Sequence, residues 1–484
     1  PPPPFLPPPA SMAFESWLTK VKTALSVGVL DAAGMPGKRR PRAVGVLAFE
    51  VAGVISKLLH LWKSLSDHHI VRLRSECTAL EGVRKIVSGD EAVLLGLACA
   101  EIVDILRTLA RSVSLICRRC EDRCLRRFDA LLREFADSGR DHLGWAVAGR
   151  KEIECRHRKM DRYVAVTAAL YREMEELTAA ENALRRSSPQ VQSSPSPSPY
   201  AAKDQRRILD LQQKISLQKL HVRQLKQKSL WSKTFDSVAS LLVPSVFTVL
   251  ARIKLVFGIG DPIPASLNRS LSASAVVYPS ENHDAACEFT SGPLTKLPRK
   301  ADPFSPGFLN EKLLDPPAST LGAAGLALHY ANVIIVMERM IRSPQLVGAE
   351  ARDDLYAMLP ASIRSALRAR LRGVGFFAGD AALAAEWKDA LGRILGWIAP
   401  LAHNMMKWQG ERSFEQRQGV RPRTNVLLLQ TLYFADLEMT EAAITEMLVG
   451  LNYVWRFERE MTARALFECA TFNGGGFPSQ CSSG

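Results

Sequence analysis

The sequence predicts an all-α protein, with two helical-bundle domains joined by a disordered Ser/Pro linker and a basic, coiled-coil-like helix. Three observations carry that prediction. Apolar residues recur at steps of three and four over long stretches, the spacing that lines one face of a helix. Strand signals, short alternating runs bounded by turn residues, are almost absent. Segments rich in Pro and Ser, around 187–200 and 258–318, interrupt the periodic pattern.

Residues 1–43 form a Pro-rich start, an amphipathic helix and a basic linker. The opening PPPPFLPPPAS lacks the basic and apolar regions of a signal peptide. Met12 is the expected natural start, with a genuine polyproline tail as the alternative. From Met12 to Ser26, Phe14, Trp17, Leu18, Val21 and Leu25 share a helical face. That helix either docks on the body or lies in a headgroup layer, with Lys20 and Lys22 beside it. Lys38, Arg39, Arg40 and Arg42 make a candidate nuclear-import patch, or an ordinary basic linker.

The N-terminal helical domain spans 44–186. Phe49, Ile55, Leu58, Leu59, Trp62 and Leu65 populate its first helix. The clearest pattern runs through Ile102, Leu106, Leu109, Val113, Ile116, Cys120, Cys124, Phe128, Leu131 and Phe135, and predicts one long helix. A third helix around 158–185 carries Tyr163, Val166, Leu170, Met174 and Leu177.

The linker, 187–200, holds Ser-Pro dipeptides at Ser188, Ser194, Ser196 and Ser198. These are candidate phosphorylation sites for proline-directed kinases, each phosphate adding roughly −1.5 to −2 charges; a plain flexible spacer is the other reading. Residues 201–257 hold the basic helix and an apolar helix pair. Lys203, Arg206, Arg207, Lys214, Lys219, Arg223, Lys226, Lys228 and Lys233 face only Asp204 and Asp210 in this stretch. Ile208, Leu211, Ile215, Val222 and Leu225 fit a heptad seam, interrupted by Gln218. The bases either form the solvated back of that seam or bind anionic lipid or nucleic acid. Sequence-specific nucleic-acid recognition is not expected, since Trp231 is the lone aromatic available for stacking.

No stretch is read as reaching the roughly 20 apolar residues of a membrane span. The nearest, Ser237 to Ala251, is interrupted by Pro244 and reads as a buried or interfacial helix pair. Residues 258–318 are an irregular linker. The C-terminal helical domain spans 319–468, with Ser319 or Thr320, Asp380, Thr424 and Thr440 as expected N-caps. Leu383, Trp387, Leu391, Ile394, Ile398, Leu401 and Met405 keep one stripe through Pro400, which predicts a single kinked helix. Arg364, Arg368 and Arg372 share a face of the segment 352–372, and 469–484 is a disordered tail.

Composition bounds function without naming a reaction. Lys and Arg total 63 against 49 acidic residues, and the resulting +14 suits an acidic partner: nucleic acid, anionic lipid or an acidic protein. Nine cysteines in 484 residues are too sparse for a disulfide scaffold. The expected setting is intracellular, at the nucleus or the cytoplasmic face of the plasma membrane. Cys117, Cys120 and Cys124, with Cys155 and His157, superficially resemble zinc ligands. Zinc needs thiolates converging from a knuckle or loop, and Cys120 and Cys124 read instead as part of an apolar stripe. Gly373 and Gly375 follow an Arg-rich helix instead of a strand, so they read as a cap and turn, not a dinucleotide loop. His329 and His403 read as core or interface histidines. No catalytic residue, cofactor, metal or small-molecule substrate is predicted.

VGVLAFEVAGVISKLLHLWKSLSD (Val44–Asp67) resembles the opening of a plant domain of unknown function. STLGAAGLALHYANVIIVMERMI (Ser319–Ile341) and RDDLYAMLPASIRSALRARLR (Arg352–Arg372) resemble a second such domain, as do PLAHNMMKWQGERSFEQ (Pro400–Gln416) and TNVLLLQTLYFADLEMTEAAITEMLVGLNY (Thr424–Tyr453). The pair is similar to the PSK SIMULATOR family, and MAFESWLTKVKTALS at Met12 is similar to the start of one branch. The resemblance implies a role in phytosulfokine peptide-hormone signalling and growth promotion, and carries over no catalytic residue. Some relatives begin Met-Gly-Gly, which suits N-myristoylation. Ala13 follows Met12 here, so that anchor is not transferred. The function expected is a non-enzymatic adaptor or scaffold binding other proteins of a growth-signalling pathway. The alternatives are a peripheral protein reading anionic lipid through the basic helix, and a nuclear, nucleic-acid-associated regulator.

Overall fold

The computed structural model describes residues 43–146, 148–192, 199–259, 314–343, 347–372, 380–417 and 426–473. Lys38, Arg39, Arg40 and Arg42, the Met12–Ser26 segment, Ser194, Ser196, Ser198, Gly373, Gly375 and Thr424 lie outside them. Among the described residues every regular element is helical, and extended pairing is limited to two isolated bridges, Ala43 with Thr234 and Thr320 with Asp436.

Helix α1 (Ala48–Ser64) buries Val51, Ala52, Ile55, Leu58 and Leu59 along its three-four stripe. Short helices α2 (Asp67–Arg72) and α3 (Glu81–Ile86) lead into α4 (Glu91–Cys117), which Asp90 caps by accepting the Ala92 amide at 2.8 Å. The single helix expected to run on to Phe135 breaks after Cys117. It continues as α5 (Arg123–Arg126) and α6 (Phe128–Ser138). Asp236, from a distant segment, accepts the Glu121 and Asp122 amides at 3.0 and 2.9 Å, and Asp122 caps α5. Apolar residues on both sides of the turn still face one core, so periodicity alone could not reveal the break.

Helix α7 (Arg150–Gln192) starts before and ends beyond the predicted 158–185. It absorbs the first residues of the expected Ser/Pro linker, including the backbone of Ser188. Helix α8 (Pro199–Lys228) returns along it. Helix α9 (Phe235–Phe257) is one helix running through Pro244, not a pair. The carbonyl that Pro244 leaves without a donor belongs to Ser240, which is exposed to water. Two stretches, Gly45–Ser64 and Phe235–Phe257, are long and apolar enough to cross a membrane, contrary to the sequence reading. In α9, however, 78% of the apolar window is buried inside the bundle, the position of a core helix. Its two late cations are used internally. Arg252 donates to the Leu65 carbonyl at 3.0 Å and pairs with Asp67, while the Lys254 ammonium donates to the Phe135 and Ala136 carbonyls at 2.9 and 2.6 Å. Lys254 thereby satisfies late carbonyls of α6. Phe247 stands at the centre of this half, 5.2 Å from the Phe135 and Trp145 rings.

The second half contains α10 (Ala327–Arg342), α11 (Ala349–Met358), α12 (Ala361–Leu371), α13 (Ala381–Arg417) and α14 (Leu437–Asn473). Pro360 divides the 352–372 segment, because the residue before a proline disfavours the helical region. Helix α13 runs through Pro400 and is capped by Asp380, as its pattern predicts. The cap of α14 is Asp436, which accepts the Met439 amide at 2.9 Å; Thr440 lies inside the helix, bonded back to the Asp436 carbonyl. Thr320 caps a turn preceding α10, not the helix itself.

The halves share one apolar core. Gly82 of α3 packs against α13 so closely that a methyl group there would collide with the Trp397 carbonyl oxygen and stand 2.7 Å from Leu401 Cδ1. The Asp436 amide donates to the Ile86 carbonyl at 2.7 Å, and the Leu428 amide to buried Glu101 at 2.6 Å. Lys85 lies 5.1 Å over the Trp397 ring.

Candidate functional site

The predicted basic segment becomes one side of a two-helix arm. The N-terminal part of α7 lies on α1, with Met160, Thr167 and Leu170 buried. Beyond them α7 and α8 run on as an antiparallel pair. Phe49 fixes the root of the arm, with its ring 5.4 Å from Tyr171 and 6.0 Å from Trp231.

Ile215 and Val222 are buried in the α7–α8 seam, as the heptad reading predicts. Gln218 is buried beside them. Its amide nitrogen donates to Glu173 and Glu176 at 3.4 Å each, and its carbonyl oxygen finds no donor among the described residues. Lys219 pairs with Glu181 at 2.9 Å and His221 with Glu173 at 3.6 Å, so α7 contributes the acidic side of the seam.

The nine predicted bases therefore do not form one patch. Lys226 lies 4.4 Å over Trp231 and Lys233 5.7 Å over Tyr163, both half-buried at the root. Lys219 is engaged by α7. Arg206, Arg207, Lys214, Arg223 and Lys228 are exposed and make no ion pair among the described residues. The side chain of Lys203 lies outside the described set. The sequence reading missed three leucines on the outer side of α8: Leu209, Leu217 and Leu220 are exposed. Their spacing of eight and three puts them on one face of the helix, interleaved in sequence with the seam heptad.

A concavity of about 760 Å³ lies between α10, α13 and α14. Its floor is Leu391, Leu395, Ala399, Leu451 and Val454, and Gly392, Gly396 and Pro400 line one side at steps of four. At one end buried Glu338 accepts from Arg342 at 2.6 Å and bonds His403 at 2.7 Å; at the other, Lys388 pairs with Glu458 at 2.6 Å. His329 bonds the Met358 carbonyl at 2.8 Å. Both histidines thus make structural contacts.

Among the described residues Cys117, Cys120, Cys124 and Cys155 do not gather into one cluster. Cys117 and Cys120 are buried, while Cys124 is exposed instead of lying in the predicted stripe, and Cys155 is exposed as well. The neighbouring Cys120 and burial push the Cys117 thiol far up, against thiolate formation. His157 is pushed down to about 4 by burial, with Arg156 and Lys63 adding to the effect. Among the described residues no group of three or more His, Cys, Asp or Glu is placed to hold a metal ion.

Two family models match the chain: a domain of unknown function (DUF3475) over residues 46–102, and a protein of unknown function (DUF668) over 320–407. Gly82 and Glu101 belong to the first match, and Trp397 and Leu401 to the second, so the two matched domains touch directly. Three curated proteins of Arabidopsis thaliana align along most of the chain. PSK SIMULATOR 1 is 30% identical over 456 residues, 91% of this chain and 60% of its own length. PSK SIMULATOR 3 is 28% identical, covering 85% and 56%, and PSK SIMULATOR 2 is 26% identical, covering 86% and 60%. The chain thus spans about three fifths of the length of the relatives it matches. No solved structure matches.

Proposed function

We propose, from the chain's similarity to the PSK SIMULATOR proteins, that it is a non-enzymatic helical adaptor promoting plant growth in phytosulfokine signalling. The observation that carries the adaptor reading is the arm. A body with one continuous core holds out a two-helix projection whose outer residues are not used by the fold. Such a surface suits recruitment: the body fixes position, and the projection meets a partner. In this reading the partners are other proteins of the growth pathway. The site of action is intracellular, at the nucleus or the cytoplasmic face of the plasma membrane. Seven free cysteines among the described residues fit a reducing compartment. Phosphorylation in the 187–200 segment would add negative charge next in sequence to the basic helix and weaken its basic character.

The test is restoration of growth. Arabidopsis lines lacking the three relatives would receive this chain, or a variant with Arg206, Lys214, Arg223 and Lys228 changed to Glu. Root elongation under added phytosulfokine is the readout, with protein level measured in parallel. The expected result is restoration by the native chain and its loss in the equally abundant variant. Full restoration by the variant would remove the arm from the function, and no restoration by an abundant native chain would remove the growth role.

A further inference from the structure

We propose that the outer face of α8 is a docking surface for an anionic phospholipid bilayer, entered by Leu209, Leu217 and Leu220 and held by the bases around them. Helix α8 carries two apolar faces. One, with Ile215 and Val222 each 5% exposed, is consumed by the seam with α7. The other holds Leu209, Leu217 and Leu220 at 56%, 63% and 53% exposure. At about 100° per residue these three fall within about 80° of one another, and they point away from α7.

The bases frame that stripe. Arg206 lies in line with it, Arg223 and Lys219 flank one side, and Lys228 and Lys214 the other. The glutamates that pair across the seam, Glu173 and Glu181, sit on α7, behind the face. Exposed Asp210 adds one carboxylate to this side of α8 against the five bases, so an incoming anionic surface still meets net positive charge before it meets the glutamates beyond the helix. From Arg206 to Lys228 the face extends roughly 33 Å in a straight line, which suits a plane.

Charge complementarity alone admits several polyanions, and the leucines choose among them. A phosphate backbone gains nothing from exposed leucine, and Leu209, Leu217 and Leu220 bring no aromatic ring to stack a base. A bilayer uses both features at once: leucine enters the acyl boundary while Lys and Arg stems extend to the headgroups. The face shares its bases with the arm surface of the adaptor reading and rests on that reading for its place in signalling, but vesicle binding requires no pathway partner, so the two fail separately.

The test is co-flotation of the full chain with vesicles of phosphatidylcholine alone, or with about one third phosphatidylserine, at physiological salt, where the Debye length is about 8 Å. Partitioning at least tenfold stronger onto the phosphatidylserine vesicles is expected. Leu217→Ser with Leu220→Ser should lower it at least tenfold, as should Arg223→Glu with Lys228→Glu. Leu115→Ser, at an exposed leucine of α4, should leave it unchanged. All these positions are exposed, so helicity and melting temperature should stay native and report on folding. Equal partitioning onto neutral and anionic vesicles would overturn the proposal, and so would native-like binding by the leucine pair variant. Failure to float, with capture of a soluble acidic amphipathic peptide instead, would assign the face to a protein partner and equally overturn it.

Discussion

Gly82 and Gly96 stand fifteen residues or less apart in the same family-matched domain, yet they respond oppositely to a methyl group. At Gly82 the added carbon meets the Trp397 backbone and Leu401; at Gly96, inside α4, it meets nothing within 4 Å. Gly82→Ala should therefore destabilise by about 1–3 kcal/mol through overpacking. Gly96→Ala should stabilise by about 0.5–1 kcal/mol, because helix-interior glycine carries an entropic penalty. Urea midpoints of the two variants check both signs. His157 supplies a pH dependence. Its ring packs edge-on against Trp62 at 5.2 Å, and burial, then Arg156 and Lys63, lower its folded pKa to about 4 from 6.5. Between those values the unfolded chain binds a proton that the folded chain refuses. Stability therefore falls as pH drops through that window, by on the order of 2–3 kcal/mol in all. His157→Phe keeps the ring contact and should flatten the slope between pH 4 and 6.5; an unchanged slope would put the dependence elsewhere.

Among the helices, much was legible from spacing. The buried stripe of α1, the passage of α13 through Pro400 and the Ile215–Val222 seam all follow from apolar periodicity, which reports a buried face directly. What periodicity did not reveal was phase-preserving breaks and long-range caps. The turn after Cys117 depends on Asp236, more than a hundred residues away, and neither sequence segment announces the other. The proline in α9 suggested two helices, but the burial of most of its residues favours keeping the backbone paired within one. Recognition of the basic helix was right about charge and incomplete about its outer leucines. Gln218 marks the cost of the seam: buried, with its carbonyl oxygen unsatisfied. Gln218→Leu should raise arm stability by about 1 kcal/mol, read from slower amide exchange in residues 206–225. Unchanged exchange there would mean that the seam is already dry and satisfied. The same substitution removes a polar residue that fixes register, so alternative pairing of α7 and α8 is its expected side effect.

At the scale of the molecule, two matched domains more than two hundred residues apart in sequence behave as one body. Their contact is built from close backbone approach at Gly82 within a shared apolar core, and the chain beyond the second match adds two backbone donors, from Asp436 and Leu428. The sequence showed both helical halves but not this contact, because a glycine facing a tryptophan carbonyl leaves no periodic trace. Calorimetry of the full chain beside Gly82→Val tests the single-body account most directly. The account predicts one cooperative transition for the native chain, with calorimetric and van't Hoff enthalpies in agreement, and two separated transitions for the variant. Two well-separated transitions in the native chain would contradict it.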